Sequence, residues 1–218
     1  MKRQLFFLAL FLGLQARFCL LYGQLAGLPT APVSDAVGAK SLNLSPDEAD
    51  MIREINLLRA NPTAYIPLVQ AYVAAVKADP GFDDAYKTEE ENTARELIVQ
   101  LQQTQALPLL KVHAGLYQVC RRQGDYLKKI GQITHRGEDG SLPWDRVQKA
   151  TDLQMGNENL VGGGQSVREQ VMLLLVDSGV KGRGHRKNLL DPSWQFVACY
   201  KIGDIADISE NWIQVFGK

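Results

Sequence analysis

Two segments near the C-terminus, Trp194-Gln-Phe-Val-Ala-Cys-Tyr-Lys-Ile202 and Trp212-Ile-Gln-Val-Phe216, are rich in aromatic and β-branched residues and are joined by a polar link from Asp204 to Glu210. That composition and the short link predict an antiparallel hairpin. The chain upstream reads as helices. Ser45-Pro46-Asp47-Glu48 supplies a hydroxyl N-cap, a proline at the first helical position and a first-turn carboxylate, and Met51, Ile55 and Leu58 follow at helical spacing. Asn61-Pro62 ends that helix and starts a second through Tyr65, Val69, Val73 and Val76 to the turn at Asp79-Pro80-Gly81. A third helix is expected from Thr88, with Glu91 as its capping-box partner. A fourth is expected after Leu107-Pro108, carrying Leu110, Leu116, Val119, Cys120 and Leu127 and stopping near Gly131. Helices in front of a small sheet define an α+β domain.

Between these parts Gly137, Gly140, Gly156 and Gly162-Gly163-Gly164 mark loops, and Ser166 with Glu169 starts a helix that runs to about Val176. Gly182 and Gly184 mark another loop before the hairpin. The opening Met-Lys-Arg-Gln and the apolar run Leu5–Leu14 have the form of a secretory signal peptide, too short to span a bilayer. Cleavage after Ala16 or just before Gln24 fits; the second is preferred, giving a signal at 1–23, a linker at 24–44 and a domain at 45–218. The expected product is secreted, extracellular or periplasmic, with no integral membrane segment. Its 21 basic and 24 acidic residues suggest no nucleic-acid partner. Two of the three cysteines, Cys120 and Cys199, outlast the leader, and their apolar contexts favour separate burial over a bridge.

Candidate chemistry is sparse. Of three histidines, His135 and His185 stand in glycine-bounded segments, with Gly184 expected to supply an unusual backbone conformation beside His185. His113 is expected on the exposed face of the fourth helix without a special role. Glu158, between Asn157 and Asn159, reads as an acid at the end of a short strand. Asp177 falls at the C-terminal end of a helix, where the macrodipole disfavours it by about 0.3 to 1 kcal/mol. A compensating imidazolium, cation or loop backbone is therefore expected. Two imidazoles and two carboxylates can hold a divalent ion such as zinc or arrange protons around a polar ligand. Their separations of 23, 19 and 8 residues match no compact zinc signature. Ser141, Ser166 and Ser178 lack a nucleophile elbow, and Cys120 falls in a helix interior. The basic group Lys181, Arg183, Arg186 and Lys187 reads first as a solvated loop, and second as an attractor of an anionic lipid or glycan.

Four ordered segments, His135-Arg-Gly-Glu-Asp-Gly-Ser, Asn157-Glu158-Asn159-Leu160, Gly184-His185-Arg186-Lys187-Asn188-Leu189-Leu190 and Trp212-Ile-Gln-Val-Phe216, resemble the CAP superfamily (cysteine-rich secretory proteins, antigen 5 and pathogenesis-related 1 proteins; the SCP domain). The likeness extends from about Glu48 to Phe216 and is closest to the bacterial-type branch. It implies a three-layer α/β/α sandwich around a small, mainly antiparallel sheet. It also implies that His135, Glu158 and His185 occupy the family's first histidine, first acid and second histidine, with Asp177 where a glutamate is more usual. Asn157 stands in place of a glycine, and the stretch from about Tyr65 to Thr104 is longer than in small members. Such proteins are associated with sterol or lipid binding, divalent-metal binding and disputed proteolysis. The leading expectation is a binding cleft in which His135, Glu158, Asp177 and His185 hold zinc, another divalent cation or a polar, lipid or glycan ligand. Its rivals are a metal- or His/Glu-dependent hydrolase (peptidase or esterase) and an extracellular interaction domain in which the four residues are structural.

Overall fold

The computed structural model describes residues 42–218. The signal at 1–23 and all of the linker but its last three residues lie outside the described residues. Leu42 and Leu44, expected as linker, already pack against the core.

Helix α1 spans Pro46–Ala60 and opens on the expected reciprocal cap: Glu48 N–H donates to Ser45 Oγ, and Ser45 N–H donates to the Glu48 carboxylate. A 3-10 turn at Pro62–Tyr65 leads into α2, Ile66–Ala78. Helix α3, Asp84–Gln103, starts before Thr88. The cap is Asp83, whose carboxylate accepts the Tyr86 N–H at 2.7 Å, and the Thr88 hydroxyl instead donates to the Asp84 carbonyl. An aspartate just past a Pro-Gly turn reaches the free amides first.

The expected fourth helix is divided. Strand β1 is Lys111–Val112, and α4 begins only at Ala114 and runs to Ile130. Leu110 precedes both and is held by Asn56, which exchanges two hydrogen bonds with its backbone. His113 is not on a helix face. It is the N-cap of α4, its Nδ1 accepting the Leu116 N–H at 3.3 Å. Helix α5, Pro143–Ala150, has no counterpart in the sequence reading, whereas β2, Gly156–Val161, and α6, Val167–Val176, do. The segment at Gly184–Leu190, expected as loop, is helix α7. Strands β3, Phe196–Ile205, and β4, Ile208–Gly217, form the hairpin through a tighter turn than expected.

The sheet order is β1-β3-β4-β2, with β1 parallel to β3 and the other pairs antiparallel. Strand alternation sends Ala198, Ile202, Ile213 and Val215 to one face, where α4 and α5 bring Leu116, Cys120, Leu127 and Val147. Val197, Cys199, Trp212 and Phe216 point to the other face, against α1, α2, α3, α6 and α7. The result is the three-layer α/β/α arrangement, each fully buried aliphatic side chain contributing roughly 1.5–3 kcal/mol. Cys120 and Cys199 are free and buried. They belong to opposite cores, and Cys120 Sγ contacts the Ala198 carbonyl at 3.3 Å.

Candidate functional site

Strand β2 is an edge of the sheet, so helices from both outer layers can meet beyond it. Glu158 projects toward the α4–α5 layer with its carboxylate fully buried. Oε1 lies 2.9 Å from His135 Nδ1, and Oε2 accepts from Arg146 Nη2 at 2.6 Å. His135 itself is fixed by its backbone. Gln123 Nε2 donates to the carbonyls of Thr134 and Arg136, both at 3.1 Å, and Arg146 Nη1 donates to the His135 carbonyl at 3.0 Å. The ring stays 48% exposed.

His185 comes from the opposite layer, in the first turn of α7. Gly184 is ordinary helix here with open space at its Cβ; the left-handed residues are Gly182, φ 84°, and Arg183, φ 54°. Asp177 ends α6 in the left-handed conformation, φ 57°. Its Oδ2 accepts the backbone N–H groups of His185 at 2.9 Å and Arg186 at 3.2 Å, while Oδ1 lies 2.8 Å from His185 Nδ1. The compensation expected from the dipole argument is thus the positive start of α7 plus the imidazole.

The basic group around His185 is only half solvated. Arg186 is buried, donating to the last carbonyls of α6, Leu175 at 2.8 Å and Val176 at 2.7 Å, and to Thr93. Arg183 donates to the Asp177 carbonyl and the Thr93 hydroxyl, both at 3.0 Å. Lys181 and Lys187 are exposed.

The two rings stand with centroids 6.5 Å apart and planes inclined by 36°. A carboxylate accepts, which assigns the donated proton of each pair to Nδ1 and leaves Nε2 as the ring nitrogen that can offer a lone pair to an ion. The donor set for a metal is therefore two imidazole nitrogens with carboxylates behind them, a carboxylate–histidine arrangement. Glu158 and Asp177 would have to leave present partners to become direct ligands. Among the described residues, no three His, Cys, Asp or Glu side chains form a metal-holding group.

Three supporting residues were not found from the sequence: Gln123, Arg146 and Asn188. Asn188 on α7 donates to Asn159 Oδ1 at 2.7 Å and accepts from Asn157 Nδ2 at 3.0 Å, stitching α7 to β2. Asn157, the residue in a glycine's place, is therefore one end of that stitch.

No curated protein matches the chain. It is similar to an outer surface protein of Borrelia burgdorferi, at 22% identity over 61% of this chain and 90% of that one, TM-score 0.44. It is also similar to an extracellular SCP-domain protein of Bacillus anthracis strain Ames, at 20% identity over 65% of this chain and 45% of that one, TM-score 0.40. The profile of the CAP family, the cysteine-rich secretory protein family, matches residues 53–216, so this chain belongs to the CAP family.

Proposed function

We propose that this CAP-domain protein is secreted and acts as a binding module whose paired imidazoles take a divalent cation or a polar group of a ligand. One observation carries the reading: His135 and His185 reach the same place from opposite layers, each held through Nδ1 by a buried carboxylate, with rings 6.5 Å apart. Fixing Nδ1 leaves two Nε2 lone pairs as the reactive faces, a geometry suited to sharing one ion or one ligand oxygen. Two protein ligands leave a zinc ion open coordination positions, and a bound ion would supply Lewis acidity for a ligand carbonyl or anion. Glu158 and Asp177, through their contacts with Nδ1, would orient the His135 and His185 rings toward such an ion. Secretion rests on the charged and apolar leader. No described helix is long and apolar enough to cross a membrane.

Calorimetric titration with zinc at neutral pH tests the metal form. We expect uptake by the native protein and none by the His135→Ala, His185→Ala double variant; equal uptake or none by either removes it. Turnover of ester or peptide substrates that vanishes in His185→Ala would replace the binding module by a hydrolase. Alanine at all four positions that lowers Tm and changes no binding would leave a structural network.

A further inference from the structure

The longer stretch between α1 and β1 forms α2 and α3, whose inner faces help to enclose a cavity of about 600 Å³ against β2, α6 and the β3–β4 turn. That is the size of a small-ligand site. Its body is apolar, through Leu160, Val161, Leu173, Leu174, Val176 and Ile208. Its charge is one-sided. Asp83, Glu89, Glu90, Asp177 and Asp207 line it, His185 is the single histidine, and no lysine or arginine does.

Glu90 decides the chemistry. It is 2% exposed, and its Oε2 accepts from the Tyr72 hydroxyl at 2.8 Å, with Tyr86 a second hydrogen-bonding phenol. Asp177 holds His185 and Glu89 approaches Arg183, but no described basic side chain comes within ion-pair distance of Glu90. A carboxylate buried without a cation is costly. Around it stand aromatic faces: Phe82 and Tyr86 are stacked with centroids 4.5 Å apart, and Tyr72 completes the group. Burial and the neighbouring carboxylate hold the Tyr72 and Tyr86 phenols above their ordinary pKa, so both remain neutral donors. Aromatic faces beside a buried acid are the chemistry that selects an ammonium or quaternary ammonium group.

We propose that this cavity binds a cationic amphiphile, its ammonium head against Glu90, Tyr72, Phe82 and Tyr86 and its apolar body along β2 and α6. The cavity shares His185 and Asp177 with the imidazole pair in its lining, but the head group rests on Glu90 and the aromatic rings rather than on either Nε2.

Calorimetry with three amphiphiles of equal chain length below their micellar concentrations tests it: dodecyltrimethylammonium, dodecyl maltoside and dodecanoate. The cation is expected to bind native protein at least about tenfold tighter than the other two. Glu90→Gln and Phe82→Leu, checked for folding by circular dichroism, should each lose that preference while still binding the maltoside. His135→Ala, which removes one of the paired imidazoles but no residue of the cavity lining, should keep it while losing zinc uptake, so failure of the imidazole reading and of this one are distinguishable. Equal affinity for the three heads, tighter binding of dodecanoate, or no binding at all overturns the proposal, and these outcomes are read on native protein even if Glu90→Gln does not fold.

Discussion

A carboxylate at a helix C-terminus is opposed by the macrodipole, and Asp177 is tolerated there because the same carboxylate caps the next helix and orients His185. Its positive φ adds a second demand, met by aspartate and asparagine better than by alanine. Asp177→Ala should therefore cost about 3 kcal/mol in urea unfolding, from a lost cap, a lost charged hydrogen bond and a strained backbone. Asp177→Asn should cost only about 1 kcal/mol, because it keeps an acceptor and the left-handed conformation. The amide can donate to Nδ1, however, moving the ring proton to Nε2. Zinc titration of Asp177→Asn should then show affinity lowered by about 10–100-fold in a folded protein.

Among elements, α7 is the one whose placement decides the site. It is seven residues long, so it owes its position to partners outside itself. Arg59, fully buried in α1, donates to the carbonyls of Leu189 at 2.9 Å, Asp191 at 3.0 Å and Pro108 at 2.9 Å. Burial pulls its guanidinium down to about 10, which leaves it charged at neutral pH. Arg59→Met removes all three donations and should cost about 3 kcal/mol, with amide exchange in α7 accelerated more than in the β3–β4 hairpin. A surface arginine of α1, Arg53, should be nearly neutral in the same measurements, since its pair with Asp50 is solvated.

At the scale of the molecule, phenols are tied into both cores. Tyr65, Tyr72, Tyr86 and Tyr200 are all held above the ordinary value of 10, and Tyr117 beside Glu48 is pushed up to about 12, with burial the first cause in each. Groups raised in the folded state keep protons that the unfolded chain has released. Their contribution is fully present below pH 10 and is lost as pH rises through the folded values. Stability should accordingly fall from pH 10 to 12, with phenolate absorbance rising together with unfolding. Ionisation of these five phenols in a still-folded protein below about pH 11 would contradict this.

The α+β class, the hairpin, α1, α2 and α6 were legible in the sequence because their signals are local: a reciprocal cap, helical spacing and a run of strand formers. The ordered motifs also brought His135, Glu158 and His185 into view, and the charge at a helix end brought Asp177, before their positions were known. Short elements escaped, since β1, α5 and α7 are too brief for periodicity and are stabilised by tertiary partners rather than propensity. His113 was misread for the related reason that a cap is defined by where the helix begins. Only the folded chain could decide that Glu158 and Asp177 spend their oxygens on Nδ1 atoms, Arg146 and the start of α7. Hydrogen bonds spanning 8 to 23 residues depend on how layers pack around the β2 edge, and sequence spacing carries no record of that packing.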